Sequence, residues 1–386
     1  MARRMTSGNP SGNELITLAK YNFRIPAETD RHAGTIMNWP TKSSILNADW
    51  KYAGADVNQT WEELAGIAAA ITKYEPLELF VRDPSVDEGA AFQSAKKLLG
   101  GVENVTIHTT RNVDSLWARD TSPVFVYASR KADGHNRIEC TEREVGIILN
   151  FNQWGKKEEP TVDSYFAGSA CETLNKPQVL APFIAEGGAI ETDGEGTLLT
   201  TESAILNPNR NPGVDKRTME RYFKEFFGIR KTIWLPGRPG GDITDDHIDA
   251  LARFASPGVI ILSRPYTWHL EDHDRILDSY YDMKQKLEGQ TDAKGRTIQA
   301  VDLPDPNPGV LGDISPESGP SVSYANYHVV NGAVIVAAFG DEVTDSRAVK
   351  ILAQHYPGRV IEQVPLRQLG IQGGGIHCST SQFYQQ

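Results

Sequence analysis

The chain has 386 residues, 39% hydrophobic and 23% charged, the balance of a soluble globular protein large enough for one elaborate domain or two ordinary ones. A net charge of −11 argues against nucleic-acid binding, which needs a basic face, and suits a small cationic partner. Three cysteines, Cys140, Cys171 and Cys378, are odd in number and far apart, which disfavours a disulfide framework or a paired-cysteine zinc site and points to a reducing, cytoplasmic setting.

The basic start Met1-Ala2-Arg3-Arg4 runs into Ser, Gly, Asn and Pro rather than an apolar stretch, and no run approaches the ~18 apolar residues of a membrane span, so neither secretion nor membrane insertion is expected. Residues 1–20 read as a loose leader and 21–386 as a single domain. The run from Gly34 to Trp39 is β-prone and stops at Pro40, which has no N–H for a sheet ladder. Trp39, at its end, suits either the core or a pocket wall. Trp61, Leu64, Ile67, Ala68 and Ile71 are spaced for a helix between residues 58 and 74. A strand at 77–81, a helix at 87–99 and a strand at 105–108 follow. Trp117-Ala118-Arg119-Asp120 then leads into a strand at 124–127. Arg119-Asp120 reads either as a surface ion pair or as an acid projecting from a sheet rim.

A polar connection at 131–144 returns to a strand at 145–151. Residues 185–192 and 197–201 flank Asp193-Gly194-Glu195-Gly196, a hairpin signal, with Glu186 beside Gly187 and Gly188. The turn cluster Asn207-Pro208-Asn209-Arg210-Asn211-Pro212 is expected to cap an amphipathic helix at 215–227. A strand at 233–235 and a Gly/Pro loop lead to His247-Ile248-Asp249, whose two polar side chains share one face if the segment is extended. Next come a strand at 259–262, a helix at 271–287, a Pro/Gly-rich loop at 303–320 and a hairpin over 323–336 turning at Asn331-Gly332. A helix at 345–355 and a strand at 360–364 deliver the chain to Gly373-Gly374-Gly375-Ile376-His377-Cys378. Three glycines before a thiol permit close backbone approach to a ligand, so Cys378 is a candidate nucleophile; the alternative is a buried structural cysteine. A nucleophilic thiol needs a base and a charged setting.

Taken in order, residues 117–123, Glu186-Gly187-Gly188 with 207–212, His247-Ile248-Asp249 and 373–378 resemble the signatures of the agmatine deiminase and bacterial peptidylarginine deiminase family. The resemblance implies an α/β fold, a five-bladed propeller of pseudo-fivefold ββαβ units (the pentein fold), with the site in the central channel and no cofactor or metal. It implies Cys378 as nucleophile, His247 as general acid/base, Glu186 as its partner, and Asp120 with Asp249 as a guanidinium clamp. Trp117, Trp39 and Asn326 are further candidate substrate contacts. The implied reaction is hydrolytic deimination through a cysteine thiouronium, agmatine plus water giving N-carbamoylputrescine and ammonia. Peptidyl-arginine or another small guanidino compound is the alternative substrate, and a homo-oligomer is left open. The residue types fit independently, since two carboxylates can hold a planar guanidinium through donors on two edges. Asp246 departs from the pattern, which has glycine before the catalytic histidine; it is expected to disturb the turn or raise the histidine pKa. Metal-dependent hydrolysis by His247, Asp249 and nearby acids, without an HExxH motif, and a non-catalytic binding protein of the same fold are the rival readings.

Overall fold

The structure, a computed structural model, describes residues 20–46, 55–86, 88–131, 142–266, 271–311 and 322–385. The expected leader up to residue 19, Cys140 with most of the 131–144 connection, and residues 312–320 of the Pro/Gly loop lie outside them.

Among the described residues the strands form five sheets with one repeated pattern: an antiparallel pair, then a parallel strand reached through a helical crossover. In one, Thr380–Tyr384 runs antiparallel to His32–Trp39, which is followed in parallel by Leu77–Arg82 and Val105–Thr110. In a second, Tyr21–Arg24 and Val124–Arg130 pair antiparallel, Arg143–Ile148 lies antiparallel on the far side, and Gln178–Leu180 closes in parallel. The other three are Glu191–Thr192 with Thr197–Thr201 and Lys231–Leu235, Ala252–Ser256 with Val259–Arg264 and Gln299–Pro304, and His328–Val330 with Ala333–Ala338 and Val360–Pro365.

The crossover helices follow their sequence periodicity. Val57–Ile71 buries Trp61, Leu64, Ile67, Ala68 and Ile71, and Asp56 caps it by accepting from Gln59 N at 2.9 Å. Lys216–Phe227 buries Met219, Phe223, Phe226 and Phe227 and stops at Gly228, whose φ of +72° is the left-handed conformation glycine adopts without penalty. Its cap is Asp215, three residues beyond the expected turn cluster. That cluster instead sends Arg210 into the protein and ties down the chain at 184 and 205 through Asn211.

Three expected strands shrink where the backbone serves the site. Only Glu191–Thr192 of the 185–192 run pairs in the hairpin, because Gly187–Ala189 coils into a 3₁₀ turn; a Cβ on Gly187 would sit 2.2 Å from the Arg119 carbonyl oxygen, so only glycine allows this approach. The 323–327 half of the later hairpin is a turn, with the strand beginning at His328. His247 and Asp249 are not on an extended strand: His247 precedes a 3₁₀ turn, Ile248–Ala250.

Candidate active site

Four turns converge: Ala118–Thr121, Gly187–Ala189, Ile248–Ala250 and the glycine run before Cys378. Arg119 N donates to the Cys378 carbonyl at 3.0 Å and Arg119 Nε to the His377 carbonyl at 3.4 Å, locking the first turn to the last. Gly188 marks the meeting point. A Cβ there would lie 2.5 Å from His247 Nδ1, 2.9 Å from Asp120 Oδ1 and 3.2 Å from Asp249 Oδ2, so the three groups close in on the backbone as only a glycine permits.

Each glycine of the final run has its own reason. Gly373 has φ +84°; a Cβ on Gly374 would strike the Trp117 ring at 2.3 Å, and one on Gly375 would strike Asn326 Oδ1 at 2.6 Å. Trp117 therefore lies against the backbone leading to the thiol. Asn326 spends both ends of its amide on Cys378: Nδ2 donates to Sγ at 3.2 Å and Oδ1 accepts from Cys378 N at 3.2 Å. These bonds hold Cys378 by its side chain and by its backbone, so Asn326 fixes where the thiol points. Cys378 itself is only half-buried and its Sγ lies 3.6 Å from Asp249 Oδ2.

The acids are held in fixed orientations. Asp120 Oδ2 accepts from Trp154 Nε1 at 2.7 Å and Oδ1 from Gly188 N at 3.1 Å. Glu186 is fully buried, takes Arg210 Nε on both oxygens at 2.9 Å, and lies 3.2 Å from His247 Nε2. Arg210 continues to Asp245 Oδ2 at 2.7 Å and the Thr244 carbonyl at 3.0 Å. Two buried polar atoms remain without a hydrogen-bond partner in the middle of this group, His247 Nδ1 and Asp249 Oδ1. Buried polar atoms left unsatisfied are rare, and here they belong to two of the three groups packed against Gly188.

Burial alone would lower the His247 pKa, but the carboxylates of Asp120, Glu186 and Asp249 outweigh it and raise it to about 9. Burial opposes ionisation of Glu186 too, yet Arg210 and His247 hold its carboxyl below the ordinary glutamate value. Asp249 is likewise held low against its burial, by His377 and His247, whereas Asp120 is pushed up, mainly by burial. Burial and the nearby Asp249 and Asp120 push the Cys378 thiol well above its usual value. These directions favour a protonated thiol facing Asp249 and Asp120, and a charged imidazole against Glu186 and Asp120.

The structure brings Cys378, His247, Glu186, Asp120, Asp249, Trp117 and Asn326 together but not Trp39. That indole is completely buried in the core and donates to Ser94 Oγ at 2.8 Å, which corrects its reading as a pocket wall. Asp246 also behaves differently from expectation. It adopts φ +62°, the conformation a glycine would take, so the turn is kept; Arg238 grips its carboxylate with two bonds of 2.8 Å. The acids that raise His247 are Asp120, Glu186 and Asp249.

Sequence reasoning passed over Glu28, Trp154, Arg210, Asp245 and Arg253 as functional side chains. Trp154 reaches Asp120 from a turn in which Gln153, Trp154, Gly155 and Lys156 all have positive φ, a left-handed twist that composition does not announce. Arg210 stood in a quoted motif but read as a turn residue. Elsewhere, His32, Glu75 and His328 place one ligand-type atom each within 4.8 Å of one another. Thr35 Oγ1, which donates to Glu75 at 2.6 Å and lies 2.9 Å from His328 Nε2, links them as a buried hydrogen-bonded group.

The sequence profile described as Porphyromonas-type peptidyl-arginine deiminase matches residues 24–383. The chain belongs to that deiminase family. A Mycoplasma capricolum relative is 34% identical over 388 residues, covering 95% of this chain and 97% of its own. The agmatine deiminase of Medicago truncatula is 30% identical, covering 94% and 96%. The solved agmatine deiminase of Enterococcus faecalis superposes with a TM-score of 0.77 at 27% identity, covering 94% of this deiminase-family chain and 96% of its own.

Proposed function

We propose that this protein hydrolyses the guanidino group of a small cationic substrate, agmatine first, to a ureido product and ammonia. The observation that carries the reading is the convergence of Asp120, Asp249 and His247 on Gly188, with His247 Nδ1 and Asp249 Oδ1 buried and unpaired, in a site whose half-buried thiol lies beside Asp249. A planar guanidinium held between Asp120 and Asp249 meets carboxylates on two edges and brings a positive charge to the acids that face the thiol. That charge offsets the effect of Asp249 and Asp120 on the thiol, so substrate binding and thiol ionisation favour one another.

With the cation bound, the Cys378 thiol gives up its proton to solvent, and the thiolate adds to the central guanidinium carbon. His247, charged at neutral pH, gives its proton to the departing ammonia, leaving a thiouronium on sulfur. Neutral His247 then takes a proton from water as the water adds to the same carbon, and the C–S bond breaks to release the ureido product and restore the thiolate. Glu186, fixed by Arg210, orients the imidazole throughout. Agmatine is preferred because relatives that match along nearly the whole chain carry that name. We also infer that the five sheets stand as blades of a propeller, the repeated pairing pattern being its support.

The test is ammonia release from agmatine, free arginine and a blocked arginine peptide, side by side in excess chelator. Agmatine should be turned over fastest. No ammonia from any of the three, or loss of activity with chelator, would overturn the reading.

A further inference from the structure

We infer that Glu28, acting through His377, fixes the Asp249 carboxylate so that one oxygen is presented to an incoming cation; this rests on the deiminase reading above. Neither residue is among the groups nearest Gly188, which are His247, Asp120 and Asp249. Both are positioning residues in a buried chain that ends on the clamp.

The chain begins at Asp249. Its Oδ2 is taken by His377 Nδ1 at 2.7 Å, while Oδ1 is buried without a hydrogen-bond partner. A carboxylate pinned at one oxygen has its other oxygen aimed, and clamp geometry is sensitive to small rotations. His377 is nearly fully buried and held at two further points: its backbone N donates to the Asn326 carbonyl at 3.0 Å, and Nε2 lies 2.8 Å from Glu28 Oε2. An imidazole between two carboxylate oxygens satisfies both when both nitrogens donate.

Glu28 is the fixed end. The same Oε2 accepts from Arg253 Nη2 at 2.7 Å; Oε1 accepts from Val329 N at 2.8 Å and faces His328 Nδ1 at 3.2 Å. Arg253 is itself anchored by Glu191 Oε2 and the Tyr327 carbonyl, each at 2.8 Å. The acid therefore draws on strands of three different sheets, leaving its position little freedom. Burial opposes its ionisation, but Arg253, His377 and His328 outweigh it and hold its carboxyl well below the ordinary glutamate value, so a fixed negative charge faces His377.

The experiment compares alkylation of Cys378 by 2-chloroacetamidine, a planar cation, and by 2-chloroacetamide, its neutral isostere, read by peptide mass spectrometry. The ratio of the two rates reports the clamp without requiring turnover. In Glu28→Gln, which keeps the shape and removes the charge, the ratio should fall about tenfold or more, with the neutral rate within about twofold of wild type. Its kcat/KM on agmatine should fall about a hundredfold. An unchanged ratio in a folded variant overturns the inference, because a merely structural role for Glu28 would not separate the two reagents. If Glu28→Gln fails to fold, His377→Asn and His377→Leu decide: the asparagine amide can still donate to Asp249 and leucine cannot. The asparagine variant should keep most of the ratio and the leucine variant lose it; equal ratios overturn the inference. A wild type releasing no ammonia from any guanidino compound would remove the function reading, and the alkylation ratio would still settle the role of Glu28.

Discussion

The two halves of the site are stabilised in opposite ways. On the acid–base side, Glu186 and His247 touch each other, and a permanent cation, Arg210, stands directly behind the carboxylate. On the thiol side, Cys378 faces Asp249 and Asp120, and the balancing cation Arg253 lies beyond His377 and Glu28. The first half is complete as built, whereas the second keeps its thiol protonated until a positive charge arrives between the acids. A site so divided favours cations without needing a large apolar pocket.

The largest expected effect tests the thiol side. Cys378→Ser should lose at least about a thousandfold in turnover, since a hydroxyl is far harder to ionise than even a raised thiol. Cys171→Ala should stay within a few-fold, because Cys171 is completely buried in an apolar cluster with Phe80, Phe125 and Phe166. Turnover by the serine variant at a tenth of wild type would remove the nucleophile assignment.

Removing the built-in cation should be next in size. Arg210→Met leaves the buried Glu186 carboxylate with His247 but without its permanent cation, and breaking a buried ion pair costs about 3–5 kcal/mol. Urea unfolding should show that loss, and kcat should fall with it. If stability drops while kcat holds, Glu186 does not act through His247.

The pH profile sharpens the contrast further. His247 is raised to about 9, so the imidazolium needed to protonate ammonia is lost as pH rises through that value and kcat/KM should fall there. The same shift stabilises the fold: its contribution is complete below about 6.5, the unfolded histidine value, and disappears as pH rises through about 9. Glu186→Gln removes one of the raising charges, so the basic limb should move to lower pH; an unmoved limb would mean that another group sets it.

The smallest effect concerns the turn that delivers Trp154 to Asp120. Gln153 sits at φ +56° without being glycine. Gln153→Gly should relieve roughly 1 kcal/mol of backbone strain and raise the melting temperature slightly, with activity within twofold. A lower melting temperature would show that the Gln153 side chain, whose Nε2 donates to Ser164 Oγ at 2.8 Å, outweighs the strain.

The crossover helices and the Asn331-Gly332 turn were legible because they depend on neighbours a few residues apart. The reacting groups were legible because glycine runs and paired acids carry chemistry in their type. The supports were not, since Glu28 and His377 are 349 positions apart and neither has a local pattern that names the other. For a related reason, a shared face for His247 and Asp249 was read only on the condition that the segment is extended. Alternation predicts a shared face, but Asp245 and Asp246 both adopt positive φ and are held by Arg210 and Arg238, which turns the segment into a coil.

Thr380–Tyr384, two residues after Cys378, pairs with His32–Trp39, so one sheet is sealed by segments from nearly opposite ends of the sequence. Closing so long a loop carries an entropic penalty that must be met before the new contacts reward it, which makes such pairing slow. During refolding from denaturant, helical signal should return before the chloroacetamidine sensitivity of Cys378. The Cys378 thiol would then act as a clock for the final seam, insensitive to the cation while the remaining sheets form and responsive only once the two distant strands lie side by side.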